Sequence, residues 1–304
     1  MGNNIACIIV TYNRKELLSR CIESVVTQSY RPSCIYVIDN ASTDGTNDLF
    51  DAKNYVNKYN DVSIIYTRLQ QNGGGSLGFY SGLKLAHESK KYDAYWVMDD
   101  DGFPDKECLE KMILYLEYHD YIAPIVLSDI DKKTMSFSYK NNNKLNVLIS
   151  ESSTNGVIND LASPFNGILY SKKILDTIGY PNKDMFMWGD EFDYHVRAKN
   201  NGFIPITILA AKHYHPVDRQ LRDTSLFNQK VVISDHMWKI YCFHRNSIYN
   251  LKNHMSFLSL CKRYVIYAYY YLFKKKSLKW FKCFNDAFWN GLQEKFQGLS
   301  KYKE

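Results

Sequence analysis

Residues 5–10, Ile-Ala-Cys-Ile-Ile-Val, are apolar without a break. A half-exposed strand alternates polar with apolar residues, so an unbroken run of this length belongs to a strand covered on both faces, as in a parallel sheet packed between helices. The run ends at Thr11-Tyr12-Asn13-Arg14, after which Leu17, Leu18, Cys21, Ile22, Val25 and Val26 recur at helical spacing up to Arg31-Pro32. Cys34–Ile38 reads as the next strand. The pattern then repeats through the polar turn Asp39–Thr46, a helix expected around 46–59, a strand at 62–67, the run Asn72-Gly73-Gly74-Gly75, a helix around 78–90 and a strand at 94–98 that ends in Asp99-Asp100-Asp101. This alternation predicts an α/β fold with a Rossmann-like sheet, whose ligands collect at the carboxyl ends of the strands.

The second half is more mixed. Strand-like runs at 121–126 and 145–149 flank the turn Asn141-Asn142-Asn143, and helical spacing returns at 171–178 and 190–201. A strand near 203–209 leads to Lys212-His213-Tyr214-His215-Pro216. Residues 217–230 are polar without periodicity and read as a mobile loop, and helices are expected from about 235 onward. The expected division is therefore an α/β domain over 1–234, with a half of nucleotide-binding type at 1–102 and a more mixed half at 103–234, followed by a helical region over 235–304.

Charge is uneven along this chain. Residues 251–304 hold 11 Lys and Arg against 3 acids, with 14 aromatic residues, while residues 1–250 hold 27 basic against 29 acidic residues. The 45% of hydrophobic residues supports a real core and excludes disorder as the main state. Seven cysteines without a C-x-x-C pair suggest neither a disulfide framework nor a zinc cluster. The N-terminus has no basic region or cleavage site of a secretory signal, and the longest apolar-aromatic stretch, Val265–Phe273, falls far short of the roughly 20 residues of a membrane span. The expectation is a cytoplasmic protein.

Three clusters can do chemistry. Thr11 with Asn13, Asp39, Asn72 to Gly75, and Asp99 to Asp101 all fall at predicted strand ends, so one crevice would gather them. Glycines opening a helix let a phosphate approach the backbone, although such loops also occur without a ligand. Three acids directly after an apolar strand repel one another, a cost that a divalent cation removes. Asp99 and Asp101, alternate residues of an extended segment, can share that metal while Asp100 points elsewhere; hard oxygen ligands favour Mg²⁺ or Mn²⁺ over zinc. The alternative is that the acids only cap a helix near 105–117. Asp190, Glu191 and Asp193 crowd the start of another helix beside Trp188-Gly189, as a general base with an aromatic platform would require, or as plain helix caps. His215, at a strand end before a proline, is a further candidate.

With these residues in order, the chain resembles the family 2 inverting glycosyltransferases of the GT-A fold, and within them the galactofuranosyltransferase-like branch. The resemblance rests on Val10-Thr11-Tyr12-Asn13-Arg14, Val37 to Thr46, Asn72 to Phe79, Met98-Asp99-Asp100-Asp101-Gly102, Phe165-Asn166-Gly167, Trp188 to Asp193, and His215. It implies that Thr11 and Asp39 hold the base and ribose of a nucleotide-sugar, with Asn13, Arg14 and Asp100 in the same set. The Asn72-Gly73-Gly74-Gly75 loop would face the diphosphate and sugar. Asp99, Asp101 and His215 would bind Mn²⁺ or Mg²⁺. Asp190 and Glu191 stand where the family has its acceptor-activating acids; the family order ends in Asp, and here Glu191 occupies that place. Trp188, Gly189, Asp193, Asn166 and Gly167 would line the acceptor site.

The reaction implied is metal-dependent, inverting transfer of a sugar, with UDP-galactofuranose as the leading donor and a rhamnosyl or hexopyranosyl donor as the alternative. The acceptor would be a glycan hydroxyl, lipid-linked, in synthesis of a bacterial-type surface polysaccharide. A reading from another class is a catalytically silent nucleotide-sugar or glycan-binding protein, against which the intact acid sets argue. Trp280, Phe281, Phe284, Phe288 and Trp289, beside Lys274, Lys275, Lys276, Lys279 and Lys282, suggest a tail lying on an anionic membrane, or else packed on the body or in a homo-oligomer. Large apolar residues among the lysines, and few arginines, argue against a nucleic-acid partner.

Overall fold

In the computed structural model, which describes residues 3–51, 62–139, 142–144, 156–217 and 220–303, the N-terminal apolar run is strand β1 (Ile5–Thr11), buried along its whole length. Successive side chains of a strand point to opposite faces, and here both faces are covered. Ile5, Cys7 and Ile9 pack with Leu18, Ile22 and Val25 of helix α1 (Lys15–Val26). Ala6, Ile8 and Val10 pack on the other side with Phe79, Leu83 and Ala86 of the helix Gly74–Glu88. This two-sided burial is why the run carries no polar residue.

The rest of the first half follows as β2 (Cys34–Asp39), a helical turn α2 (Asp48–Asp51), β3 (Ser63–Arg68), α3 (Gly74–Glu88) and β4 (Ala94–Asp99). Next come β5 (Phe103–Pro104), α4 (Cys108–Ile113), β6 (Tyr121–Ser128), β7 (Thr134–Tyr139), β8 (Asn142–Lys144), β9 (Val157–Asn159) and β10 (Asn166–Ser171). Helices α5 (Lys172–Ile178) and α6 (Asp190–Asn200) precede β11 (Ile206–His215). The main path of the sheet runs β3-β2-β1-β4-β10-β6-β11-β5. β3, β2, β1 and β4 are parallel, and β10 joins β4 antiparallel, so the sheet is mixed. The strand expected at 145–149 and most of the helix expected at 46–59 lie outside the described residues.

The chain forms two compact units, Met1–Lys183 with Tyr194–Asp218, and Asp184–Asp193 with Arg219–Glu304. The division thus falls ahead of residue 234, and a short segment around the Trp188 loop groups with the C-terminal residues. The second unit contains β12 (Arg222–Thr224) and β13 (Lys230–Val232), then helices α7 (Met237–His254), α8 (Phe257–Tyr269) and α9 (Leu278–Leu292). Residues 222–230, part of the segment 217–230 expected to be a mobile loop, belong instead to the hairpin 222–232. Its strands are too short for a periodicity to show; tertiary bonds hold it, from the Val232 N–H to the Tyr267 hydroxyl (3.0 Å) and from the Ser225 hydroxyl to the Ile266 carbonyl (2.8 Å). Phe284 and Phe288 face inward as well: they are buried with Tyr267 and Tyr271, whereas Trp289 is exposed. The aromatic stripe of α9 is therefore largely the core of its own unit. Among the described residues no helix is long and apolar enough to cross a membrane.

Candidate active site

In the first unit, strand register brings three carboxyl ends together: Thr11 is opposite Asp39, and Val10 is opposite Asp99. The residues there bond chiefly to one another. The Thr11 hydroxyl donates to Asp100 (2.7 Å), both being 2% exposed, and Arg14 Nη1 bridges Asp100 Oδ1 (3.0 Å) and Asp101 Oδ2 (2.8 Å). Asp39 is fully buried and accepts from the Ser42 amide (2.9 Å), the Ser42 hydroxyl (2.5 Å) and the Tyr66 hydroxyl (2.6 Å). Asn13, at a φ of 52° that asparagine tolerates, accepts from the Thr43 amide (2.7 Å) and donates its own N–H to Ser42 (2.9 Å). Thr11, Asp39 and Asp100, expected to touch a nucleotide, brace the loops at these strand ends.

Helix α3 begins at Gly74, earlier than its apolar spacing indicates, so the glycine run is the first turn of a helix. Asn72 Oδ1 caps that turn by accepting from the Gly74 N–H (2.8 Å), and the Ser76 hydroxyl, fully buried, finds no partner among the described residues. A first helical turn leaves its amides without partners in the helix and carries a partial positive charge, which suits an anion.

The acids meet histidine at one pole. His215 Nε2 lies 3.2 Å from Asp101 Oδ1, and its Nδ1 is 2.7 Å from the Pro216 carbonyl. A carbonyl only accepts, so Nδ1 carries a hydrogen, and Nε2 then turns a lone pair toward a carboxylate unless a proton or cation lies between them. Burial pulls the His215 pKa down, but the hydrogen bond and charge of Asp101 prevail and raise it. Asp101 is held below its ordinary value: burial opposes this, while His215 and Arg14 outweigh it. For Asp99 the balance runs the other way: burial, with the charges of Asp101 and Asp100, outweighs His215 and Arg14 and pushes its carboxyl up to about 8. Among the described residues no three acidic, histidine or cysteine side chains already converge as a ready metal site. Asp101 and His215 touch, Asp99 is their electrostatic neighbour, and Arg14 occupies part of the charge balance. The crowded acids and the lone pair of Nε2 nonetheless fit a hard divalent cation.

His213 was not marked by its sequence context. It is fully buried, neither ring nitrogen has a partner among the described residues, and burial lowers its pKa to about 3. A Cβ at Gly102 would lie 2.2 Å from its Nε2, and one at Gly167 would lie 2.8 Å from its Nδ1. Gly167 (φ +75°) also forms a bulge in β10, and its carbonyl accepts from the Trp96 indole (2.9 Å). Gly167, expected to line the acceptor site, is required by this packing to have no side chain. Asn166 beside it donates to the Pro164 carbonyl (2.9 Å), and its Oδ1 is buried without a partner among the described residues.

In the second unit, the loop before α6 has φ of 69° at Phe186, 58° at Trp188 and 109° at Gly189. Such left-handed residues persist only where neighbours enforce them. Asn246 of α7 does so, its amide reaching the carbonyls of Met185 (2.9 Å), Met187 (2.8 Å) and Trp188 (2.7 Å). Arg245 donates to the Met185 carbonyl (2.7 Å) and Asn250 to that of Gly189 (2.9 Å). A Cβ at Gly189 would lie 3.0 Å from Asn246 Cβ. Glu191 accepts from the Gly189 N–H (2.8 Å) and keeps part of its surface open, whereas Asp190 is 4% exposed. Asp193, expected at the acceptor site, pairs with His254 of α7 (2.9 Å), with 2% of its surface exposed.

A mixed sheet with its acids at the carboxyl end of β4, followed by a helical C-terminal region, is the GT-A arrangement, and solved structures agree. S. aureus TarS superposes with a TM-score of 0.58 at 16% identity, over 95% of this chain and 49% of that one, so the chain spans about half of TarS. The mannosyltransferase PcManGT from Pyrobaculum calidifontis, solved with GDP-Man and Mn²⁺, gives a TM-score of 0.54 at 14% identity over 82% of this chain and 63% of its own. Residues 6–179 match the family model for Glycosyl transferase family 2, and the chain belongs to that family. It is a glycosyltransferase, similar to the galactofuranosyltransferase GlfT1 of Mycolicibacterium smegmatis, with 28% identity over 221 residues and 70% of each chain covered.

Proposed function

We propose that the protein is a metal-dependent, inverting transferase that moves galactofuranose from UDP-galactofuranose to a hydroxyl of a lipid-linked glycan at the cytoplasmic face of a membrane. The observation that carries the reading is the Asp101–His215 pair, in which the Pro216 carbonyl fixes the tautomer so that Nε2 meets a carboxylate at 3.2 Å. The similarity to GlfT1 over most of both chains supports the choice of sugar.

In this reading Asp99, Asp101 and His215 would hold the metal, and Arg14 favours the ionised forms of Asp100 and Asp101 against their burial. Held by these residues, Mn²⁺ or Mg²⁺ would supply positive charge against that of a departing diphosphate. The Asn72-capped first turn of α3 directs backbone N–H groups at phosphate oxygens. The acceptor-activating base is Glu191, whose carboxylate is open to an acceptor hydroxyl and held in place by the Gly189 amide, with Asp190 as the alternative. One base and one in-line attack invert the anomeric centre.

Incubation with UDP-galactofuranose, a glycan acceptor and Mn²⁺ should release UDP, and chelation of the metal should stop it. Glu191→Gln should lower kcat by roughly 10²–10⁴-fold while UDP still binds. If Asp190→Asn has that effect and Glu191→Gln does not, the base is Asp190. Full transfer by both variants, or turnover unaffected by chelation, would overturn the mechanism.

A further inference from the structure

The second unit contains a cavity of about 420 Å³ between the β12–β13 hairpin and helices α7 and α8. Its charge is one-sided. Arg222, Lys230, Lys262 and Arg263 line it, with Phe243 and Tyr267 on its apolar side, and no acidic residue lines it among the described residues. The local structure accounts for this. Across the hairpin, Arg222 is opposite Val232 and Thr224 opposite Lys230, so period-two alternation puts Arg222, Lys230 and Val232 on one face. Asp223 takes the opposite face, where it pairs with Lys274 (2.8 Å) and the Tyr270 hydroxyl (3.1 Å). On α8, Ser259, Lys262, Arg263 and Ile266 follow the i, i+3, i+4, i+7 spacing of one helical stripe.

Arg263 is pre-positioned, its guanidinium 5.8 Å from the Phe243 ring centre and 5.6 Å from that of Tyr267. Gathering like charges around an apolar floor is unfavourable unless an anion offsets them. The next stripe of α8 around the helix exposes Leu258 and Val265, at 78% and 52%. A group with several anionic oxygens next to an apolar chain meets both surfaces.

We propose that this cavity is a binding site for a phosphate or diphosphate ester, with Lys262, Arg263, Lys230 and Arg222 as its ligands. The site stands on its own chemistry. Its assignment to the phosphate-linked part of a sugar acceptor rests on the transfer reaction proposed above.

The test is calorimetric titration of the full-length chain with inorganic diphosphate, and separately with farnesyl diphosphate, in the presence of EDTA so that the metal-dependent site of the first unit takes up neither. Both ligands should bind, and Lys262→Ala and Lys230→Ala, which change exposed side chains, should each weaken binding about tenfold. Lys295→Ala, which removes an exposed lysine outside the cavity, should leave it unchanged. Tighter binding of farnesyl diphosphate than of inorganic diphosphate identifies a lipid-borne phosphate as the ligand; equal binding identifies the free anion. Absence of binding, or equal weakening by Lys295→Ala, overturns the site. Because no donor sugar is present, this result is independent of whether UDP-galactofuranose is a substrate.

Discussion

Asn246 shows how much one side chain can settle. Its amide satisfies carbonyls of a loop whose Phe186, Trp188 and Gly189 all have left-handed backbones, and that loop leads directly into Asp190 and Glu191. Replacing it leaves buried carbonyls without donors and removes the restraint on the strained residues, each a penalty of about 1–3 kcal/mol. Asn246→Ala should therefore lower unfolding stability by roughly 2–4 kcal/mol in a denaturant titration, and transfer should fall further than stability alone explains, because Glu191 loses the Gly189 amide that orients it. A variant that is as stable and as active as the parent would show that the loop holds its shape unaided. The sequence made Asp190 and Glu191 legible as carboxylates at a helix start. It could not make Asn246 legible, because its partners are backbone atoms some sixty positions earlier, and a carbonyl has no side-chain identity to read. His213 escaped for a similar reason: only contact shows that Gly102 and Gly167 are small on its account.

At the level of elements, helix α3 carries glycines for two different purposes. Gly82 faces the sheet, where an added Cβ would lie 2.5 Å from Ile8 Cγ2 and 2.9 Å from Ile38 Cγ1, so the helix rests on the strands at glycine distance. Gly75 is in the first turn, and its Cβ would meet only Phe79, at 3.9 Å. Alanine favours a helix over glycine by about 1 kcal/mol, but overpacking against two strands opposes it by about 1–3 kcal/mol. Gly82→Ala should lower the melting temperature and Gly75→Ala should leave it unchanged or raise it; a rise for both would mean that α3 can move away from the sheet freely. The same helix marks the limit of pattern reading. Its apolar spacing placed the start near 78, since glycines contribute no side chain to a periodicity, while the Asn72 cap that sets the start is a single hydrogen bond. By contrast β1, β2 and β4 are plain in the sequence, because strands covered on both faces tolerate no polar interruption until the polar residues at their carboxyl ends.

For the whole molecule, the uneven charge of the sequence acquires two meanings once burial is known. Many aromatics in the C-terminal helices build a core, with Phe284, Phe288, Tyr267 and Tyr271 buried together, so aromatic density alone did not identify a membrane surface. What stays outside is narrower: Leu258, Val265 and Tyr269 recur along α8, Phe273 follows at 64% exposure, and Lys276 and Lys282 lie exposed in the same C-terminal region. An apolar stripe with lysines nearby suits an anionic lipid surface, each lysine near such a surface contributing about 1 kcal/mol that salt screens. The full-length protein should co-float with vesicles containing anionic lipid, bind neutral vesicles at least about tenfold more weakly, and dissociate at high salt. Leu258→Ser, Val265→Ser and Phe273→Ser together should abolish flotation without changing the melting temperature much, since all three side chains already face solvent. Equal flotation with neutral and anionic vesicles would leave the lysines without this role. No flotation with either, together with a dimer whose dissociation follows the same three substitutions, would show that the stripe meets a second copy of the chain and not a lipid.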